Sequence, residues 1–141
     1  VRSMANDNEI AVRRFYEALS TGDSALVDDA LAAGWEAVPA LRAGGGPEGW
    51  KANIAHLRGV FGDLTIEIEH VVVNRDMVAV RTVSRGKHTG ELLGVEGTGR
   101  EVEFRAADFH QVVDGRIVRT WHLEDYFSIA TQIGLEFTRG A

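Results

Sequence analysis

The sequence predicts an α+β domain with helices packed on one face of an antiparallel sheet, and three observations carry that expectation. From Asn6 to Phe61 the apolar side chains recur at helical spacing. From Leu64 onward the period drops to two, with many β-branched residues. Asp114-Gly115 then joins two alternating runs, as a hairpin turn does. Helices early and strands late point to α+β rather than alternating α/β units. A strongly curved sheet of this kind closes over its helices as a cone-shaped barrel with an apolar pocket, a common place for small-molecule sites.

Each element has its own local reason. Asn6 to Leu19 is expected to be helical, with Val12, Phe15, Tyr16 and Leu19 as the apolar stripe and Arg13, Arg14 and Glu17 towards water. Ser20-Thr21-Gly22 stops it, and Asp23 is placed to cap a shorter helix through Leu31. Trp35-Glu36-Ala37-Val38 reads as a short strand ended by Pro39, and Ala43-Gly44-Gly45-Gly46 as a loop. Pro47 sits in the first turn of a third helix, where its missing N–H does least harm. Trp50, Ile54, Leu57 and Phe61 form that helix's core stripe. Thr65 to Asn74 and Met77 to His88 alternate around a turn at Asn74-Arg75-Asp76, and a glycine-studded connection, Thr89 to Gly99, follows. After the last hairpin, Asp125 is expected to cap a short helix to Ile133, which Gly134 ends.

The hairpin from Arg100 to Tyr126 concentrates the chemistry. Val102, Phe104, Ala106, Asp108, His110 and Val112 share one face, and Glu103, Arg105, Phe109 and Gln111 the other, so the first face is expected inside. This sets Asp108 and His110 among apolar side chains. A second histidine, His122, lies on the return strand. A two-residue loop at Asp114-Gly115 would pair Val113 with Arg116 and put Trp121 on the face of Asp108. A three-residue loop would pair Val112 with Arg116 and bring Asp108, Thr120 and His122 to one face. Asp-Gly suits both, and a one-residue slip flips every side chain, so both registers stay open here.

Length and composition bound the function classes. The 141 residues make one domain, residues 4–141, with Val1-Arg2-Ser3 read as a remnant of cloning before Met4. Apolar residues at 45% and charged residues at 26% are ordinary for a globular protein. The net charge of -6 is spread and no basic stripe is present, which argues against nucleic-acid and anionic-membrane partners. Without cysteine, thiolate and disulfide chemistry are excluded. No apolar run is long enough for a signal peptide or a membrane span, so a cytoplasmic protein is expected.

Several stretches together resemble the SnoaL-like polyketide cyclases of the nuclear transport factor 2-like superfold. They are Gly46-Pro47-Glu48 opening a helix that ends in Phe61, the run Arg85 to Gly94, Thr98-Gly99-Arg100, Val112 to Ile117, Asp125-Tyr126, and Gln132-Ile133-Gly134. The resemblance covers Glu9 to about Gly134. It implies a cone-shaped pocket, an intramolecular aldol ring closure without metal or organic cofactor, a small apolar carbonyl or polycyclic substrate of secondary metabolism, and a homodimer. It also implies an acid/base pair on the two strands of the last hairpin, at the positions of Asp108 and His122. In those cyclases histidine comes first and aspartate second; here the order is reversed. The resemblance favours the register that sets the two on one face.

The chemistry fits these residue types. Aldol closure needs a base for a proton alpha to a carbonyl and an acid for the developing alkoxide, and a carboxylate with an imidazole in a dry pocket serves both. His122 is expected to transfer the proton while Asp108 fixes its tautomer; the reverse assignment serves as well. Isomerase, dehydratase and epoxide-opening chemistries fit the same pair, and a non-catalytic ligand-binding or dimerisation module is the alternative from another class. The bland alternative is a structural polar pair within the sheet. Trp35, Trp50, Phe15, Phe61 and Phe104 are expected as pocket wall, because in a cone the deepest core is the wall. His110 is expected to line the pocket and His88 to sit near its rim, with His56 and His70 structural or exposed. Asp108, His110 and His122 have the residue types of a facial metal triad, but no metal is expected.

Overall fold

The computed structural model describes residues 4–140, so Val1-Arg2-Ser3, expected above to be a remnant, lie outside the described residues. Along the chain run α1 (Met4–Thr21), α2 (Ser24–Ala30), β1 (Leu31–Val38), α3 (Gly46–Val60), β2 (Phe61–Asn74), β3 (Met77–His88), β4 (Glu101–Val113), β5 (Arg116–Glu124) and α4 (Tyr126–Gln132). The caps fall where the side chains dictate. Asp23 accepts from the Ala25 N–H and Asp125 from the Ser128 N–H, each at 3.0 Å.

The five strands form one sheet in the order β1-β5-β4-β3-β2. Strands β2 to β5 make the expected antiparallel meander, whereas β1 pairs parallel with β5. The sheet is therefore mixed, which corrects the expectation of a wholly antiparallel one. The physical reason is the crossover: α3 packs against both β1 and β2 and carries the chain between opposite edges of the sheet. Strand β1 also begins at Leu31, four residues before the tryptophan that signalled it.

The inner face of the sheet meets the apolar stripe of α1, where Val12, Phe15, Tyr16 and Leu19 are all buried, and that of α3, where Trp50 and Ile54 are buried. Phe15 links the layers, stacked on Trp50 with centroids 4.2 Å apart and inclined to Trp35 at 6.0 Å. Beyond Glu124, strand β5 no longer covers β4. There the Gln132 amide of α4 substitutes for a strand, donating to the Glu103 carbonyl at 2.7 Å and accepting from the Glu103 N–H at 3.0 Å. Among the described residues no helix is long and apolar enough to cross a membrane.

The loop before α3 is held by close backbone approach. A Cβ on Gly49 would stand 1.9 Å from the Gly44 carbonyl oxygen, whereas one on Gly59 would meet nothing within 4 Å. Alanine is the better helix former by about 1 kcal/mol, so the two substitutions separate propensity from packing. Gly59→Ala is expected to raise the stability by up to about 1 kcal/mol, and Gly49→Ala to lower it by about 1–3 kcal/mol as the loop is forced aside. Denaturant unfolding of both variants checks this, and equal behaviour would show that the Gly44–Gly49 approach does not constrain the fold.

Candidate active site

The last hairpin joins the two loop expectations in an unforeseen way. Val113 pairs with Arg116 across Asp114 and Gly115, which have φ of 51° and 77°, so the loop has two residues with both in the left-handed region. By itself that loop would set Trp121 opposite Asp108. The ladder, however, shifts between Gln111 and Val112: Val112 faces Ile117 while Gln111 faces Arg119, leaving Val118 as an extra residue on β5. That bulge turns every following side chain over, and Asp108 ends opposite His122, His110 opposite Thr120.

A directed chain of hydrogen bonds runs across this face and ends on Asp108. The Trp35 indole N–H donates to Thr120 Oγ1 at 3.0 Å, and Thr120 lies 2.8 Å from His110 Nδ1. The Tyr16 hydroxyl donates to Asp108 Oδ2 at 2.6 Å and lies 2.7 Å from His110 Nε2. A phenol has one proton, so towards His110 it accepts, and His110 carries its proton on Nε2 while Nδ1 accepts from Thr120. The other carboxylate oxygen, Asp108 Oδ1, lies 2.5 Å from His122 Nδ1. His122 Nε2 in turn lies 3.5 Å from Glu124 Oε2.

The two histidines have opposite electrostatic fates. Burial pulls His110 down to about 4, despite the attraction of Asp108, so it is neutral at ordinary pH. For His122 burial also opposes the charge, but the hydrogen bonds and charges of Asp108 and Glu124 outweigh it and raise the imidazole to about 10. Burial, reinforced by the neighbouring Asp108 charge, pushes the Tyr16 phenol well above its ordinary value, so it stays a donor. At neutral pH His122 is thus an imidazolium, hydrogen-bonded to Asp108 at the wall of the cone.

These groups open on a cavity of about 300 Å³ between α1, α3 and the sheet. Asp108, His122, Phe15, Trp35 and Trp50 all line it. Other expected residues fall elsewhere. Phe61 and Phe104 are buried with ring centroids 5.2 Å apart and pack in the core, outside the lining, because the cavity stops short of that end of the sheet. His110 lies behind the wall with both nitrogens engaged by Tyr16 and Thr120. His88 is fully buried rather than at a rim; the Thr98 N–H donates to its Nδ1 at 3.2 Å. His56, expected to be structural or exposed, is exposed and contributes to the cavity lining. Among the described residues no group of three or more His, Cys, Asp or Glu side chains is arranged to hold a metal ion.

Sequence reasoning missed Tyr16 and Glu124 as parts of the site, and placed Thr120 on its face without giving it a role. Tyr16 read as one more stripe residue of α1, and only its hydroxyl among that stripe hinted otherwise. Glu124 follows His122 at the same-face spacing of two, a signal visible once the register is known.

Comparison with known proteins gives a consistent result. The sequence model of the SnoaL-like polyketide cyclase family matches residues 9–133. Aklanonic acid methyl ester cyclase AcmA of Streptomyces galilaeus is 31% identical over 131 residues, spanning 88% of this chain and 88% of its own. Aklanonic acid methyl ester cyclase DnrD of Streptomyces peucetius is 30% identical, spanning 87% of this chain and 88% of its own. Among solved structures, IdmH of Streptomyces antibioticus is 28% identical with a TM-score of 0.78, covering 91% of this chain and 99% of its own. TsrD of Streptomyces laurentii has a TM-score of 0.88 at 23% identity, covering 96% of this chain and 100% of its own, a likeness of fold alone.

The histidine shifts predict a stability maximum. His122, raised to about 10, stabilises the fold fully below its unfolded value of about 6.5, and that contribution is lost as pH rises through about 10. His110, held at about 4, works the other way: stability falls as pH drops from about 6.5 towards about 4, because only the unfolded chain takes the proton. Unfolding temperature should therefore peak near neutrality. NMR titration should find His122 charged at pH 7 and its pKa sharply lower in Asp108→Asn; a His122 that ignores that substitution would uncouple the pair.

Proposed function

This chain belongs to the SnoaL-like polyketide cyclase family, and on that footing we propose that it closes a ring on an apolar polyketide-type carbonyl compound by intramolecular aldol addition. The observation that carries the reading is the Asp108–His122 pair, 2.5 Å apart on the wall of a cavity that Phe15, Trp35 and Trp50 also line. His122 is the cavity-facing proton donor, its side chain 36% exposed while that of Asp108 is 4% exposed. Asp108 has both oxygens accepting already, from Tyr16 and His122, which makes it a poor base and a good anchor. Its role is to hold the imidazolium and fix its orientation. Glu124, also on the lining, is the carboxylate placed to take the α-proton.

The proton count closes. Glu124 removes a proton alpha to one carbonyl, and the resulting enolate carbon attacks a second carbonyl of the same molecule. A C–C bond forms, and the carbonyl oxygen takes the Nε2 proton of His122. The proton on Glu124 then passes to His122 Nε2, and the product is an isomer of the substrate. Proton transfers of this kind contribute about 10²–10⁴-fold, with positioning adding to them. His122 must carry its proton to act as the acid, so activity is expected to fall as pH rises through about 10.

The test is turnover of aklanonic acid methyl ester and related open-chain polyketide ketones, followed by chromatography and mass. Dehydration loses a water and epoxide opening gains one, whereas aldol closure and simple isomerisation both keep the mass; carbon NMR separates those two, since aldol closure converts one ketone carbonyl into a carbinol carbon. His122→Gln and Glu124→Gln should each lower kcat by about 10²–10⁴-fold with little change in KM. Binding without any turnover, unaffected by these substitutions, would leave the ligand-binding-module reading in place.

We infer a homodimer as well, formed through the outer face of the sheet. Phe109 and Leu123 stand there 55% and 77% exposed, on adjacent strands beside the paired Trp121. Light scattering should give twice the chain mass for the native protein and the single mass for Phe109→Lys; a native monomer would discard this surface.

A further inference from the structure

Two hydroxyls on the cavity wall have no hydrogen-bond partner among the described residues. Thr82 and Ser84 lie on the inner face of β3, 2% and 5% exposed, and both line the cavity. Neither side chain makes a hydrogen bond to any described residue. Among the described residues the fully enclosed polar atoms without a partner are Trp50 Nε1 and His88 Nε2 and not these two oxygens, so the Thr82 and Ser84 hydroxyls reach the cavity space and are placed to meet a bound molecule. The polar groups across the sheet from them are engaged: Thr120 by Trp35 and His110, Asp108 by Tyr16 and His122.

Their placement is ordered relative to the reacting pair. Thr82 pairs with Ala106 and Ala106 with Glu124, so one row across the sheet reads Thr82, Ala106, Glu124, with the small alanine leaving room between the polar ends. Asp108 is the diagonal neighbour of Thr82, about 7–8 Å away at Cα level. Ser84 follows two residues along the same strand, about 7 Å further from the pair.

Resting on the cyclase reading above, we propose that Thr82 and Ser84 are specificity-determining residues that donate hydrogen bonds to oxygens along one edge of the substrate's ring system. The substrate class is thereby narrowed to compounds with at least two carbonyl or phenol oxygens on the edge facing β3. Those two bonds fix how far the ring system slides along the strand, and so which carbon faces Glu124 and which carbonyl oxygen faces His122. An unoxygenated edge leaves both hydroxyls unsatisfied, which discriminates more strongly than an apolar wall does.

The experiment measures binding rather than turnover, so that it stands apart from the chemistry. The probes are 1,8-dihydroxyanthraquinone, whose phenol oxygens flank a carbonyl on one edge, and unsubstituted 9,10-anthraquinone. Both are followed by quenching of the cavity tryptophans. The native protein is expected to prefer the dihydroxy probe by roughly tenfold, and T82V/S84A to lose that preference while keeping its affinity for anthraquinone. The double variant should unfold at the same temperature as the native protein or higher. A preference that survives the double substitution overturns the proposal, as does a lowered unfolding temperature with the preference intact. Failure of the cyclase reading looks different: the preference shifts as expected but no ketone is turned over, and the hydroxyl pair then stands as part of a binding site. Native protein that binds neither probe overturns both.

Discussion

The buried charge of Asp108 is the constraint around which the structure is arranged. An isolated carboxylate inside an apolar cone is prohibitively costly, so it must be paired and fully hydrogen-bonded. Tyr16 from α1 and His122 from β5 supply the two bonds, and Tyr16 is itself held by His110, His110 by Thr120, and Thr120 by Trp35 of β1. One chain of donors thus crosses α1, β4, β5 and β1. Removing the Tyr16 hydroxyl strands a donor and an acceptor at once, each worth about 1–3 kcal/mol when left buried and unmade. The network aligns its dipoles towards one anion, and each bond strengthens the next.

The same arrangement separates two chemically identical side chains. His110 and His122 share a sheet face, yet one is enclosed by neutral donors and acceptors and the other lies between two carboxylates. Burial decides the first; at the second it is outweighed by hydrogen bonds to two carboxylates together with their charge. In the proposed reaction this gives a division of labour: His110 is an uncharged link in the hydrogen-bond chain, and His122 is the group that would deliver a proton into the cavity. Reversal of the histidine–aspartate order along the chain, relative to the cyclases it resembles, leaves a coupled pair because the two positions face each other across the ladder.

The outer face of the sheet follows a different logic. Arg85 bridges Glu67 and Glu103 at 2.9 and 3.0 Å, and Arg105 and Arg81 approach Glu69, so one half of that face is a solvated ladder of alternating charge. Exposed pairs of this kind add little stability, but they keep that half polar and unavailable for apolar contact. The aromatic half, around Phe109 and Trp121, is left as the apolar surface.

Local rules acting along the sequence determined the helices, the strands, the inward face of β4 and the Asp114-Gly115 turn. Each of these depends on side-chain periodicity or on the φ preference of one or two residues. The capping aspartates Asp23 and Asp125 were legible for the same reason. What tertiary structure alone decided is non-local. The parallel docking of β1 depends on which sheet edge α3 reaches, and the bulge at Val118 has no residue signature, yet it sets whether His122 or Trp121 meets Asp108. Tyr16 joined the site because α1 lies across the sheet at that height, and Phe61, Phe104 and His88 left it because the cavity ends before them. A period of two says that a side chain points inward; only the packed layers say what it meets there.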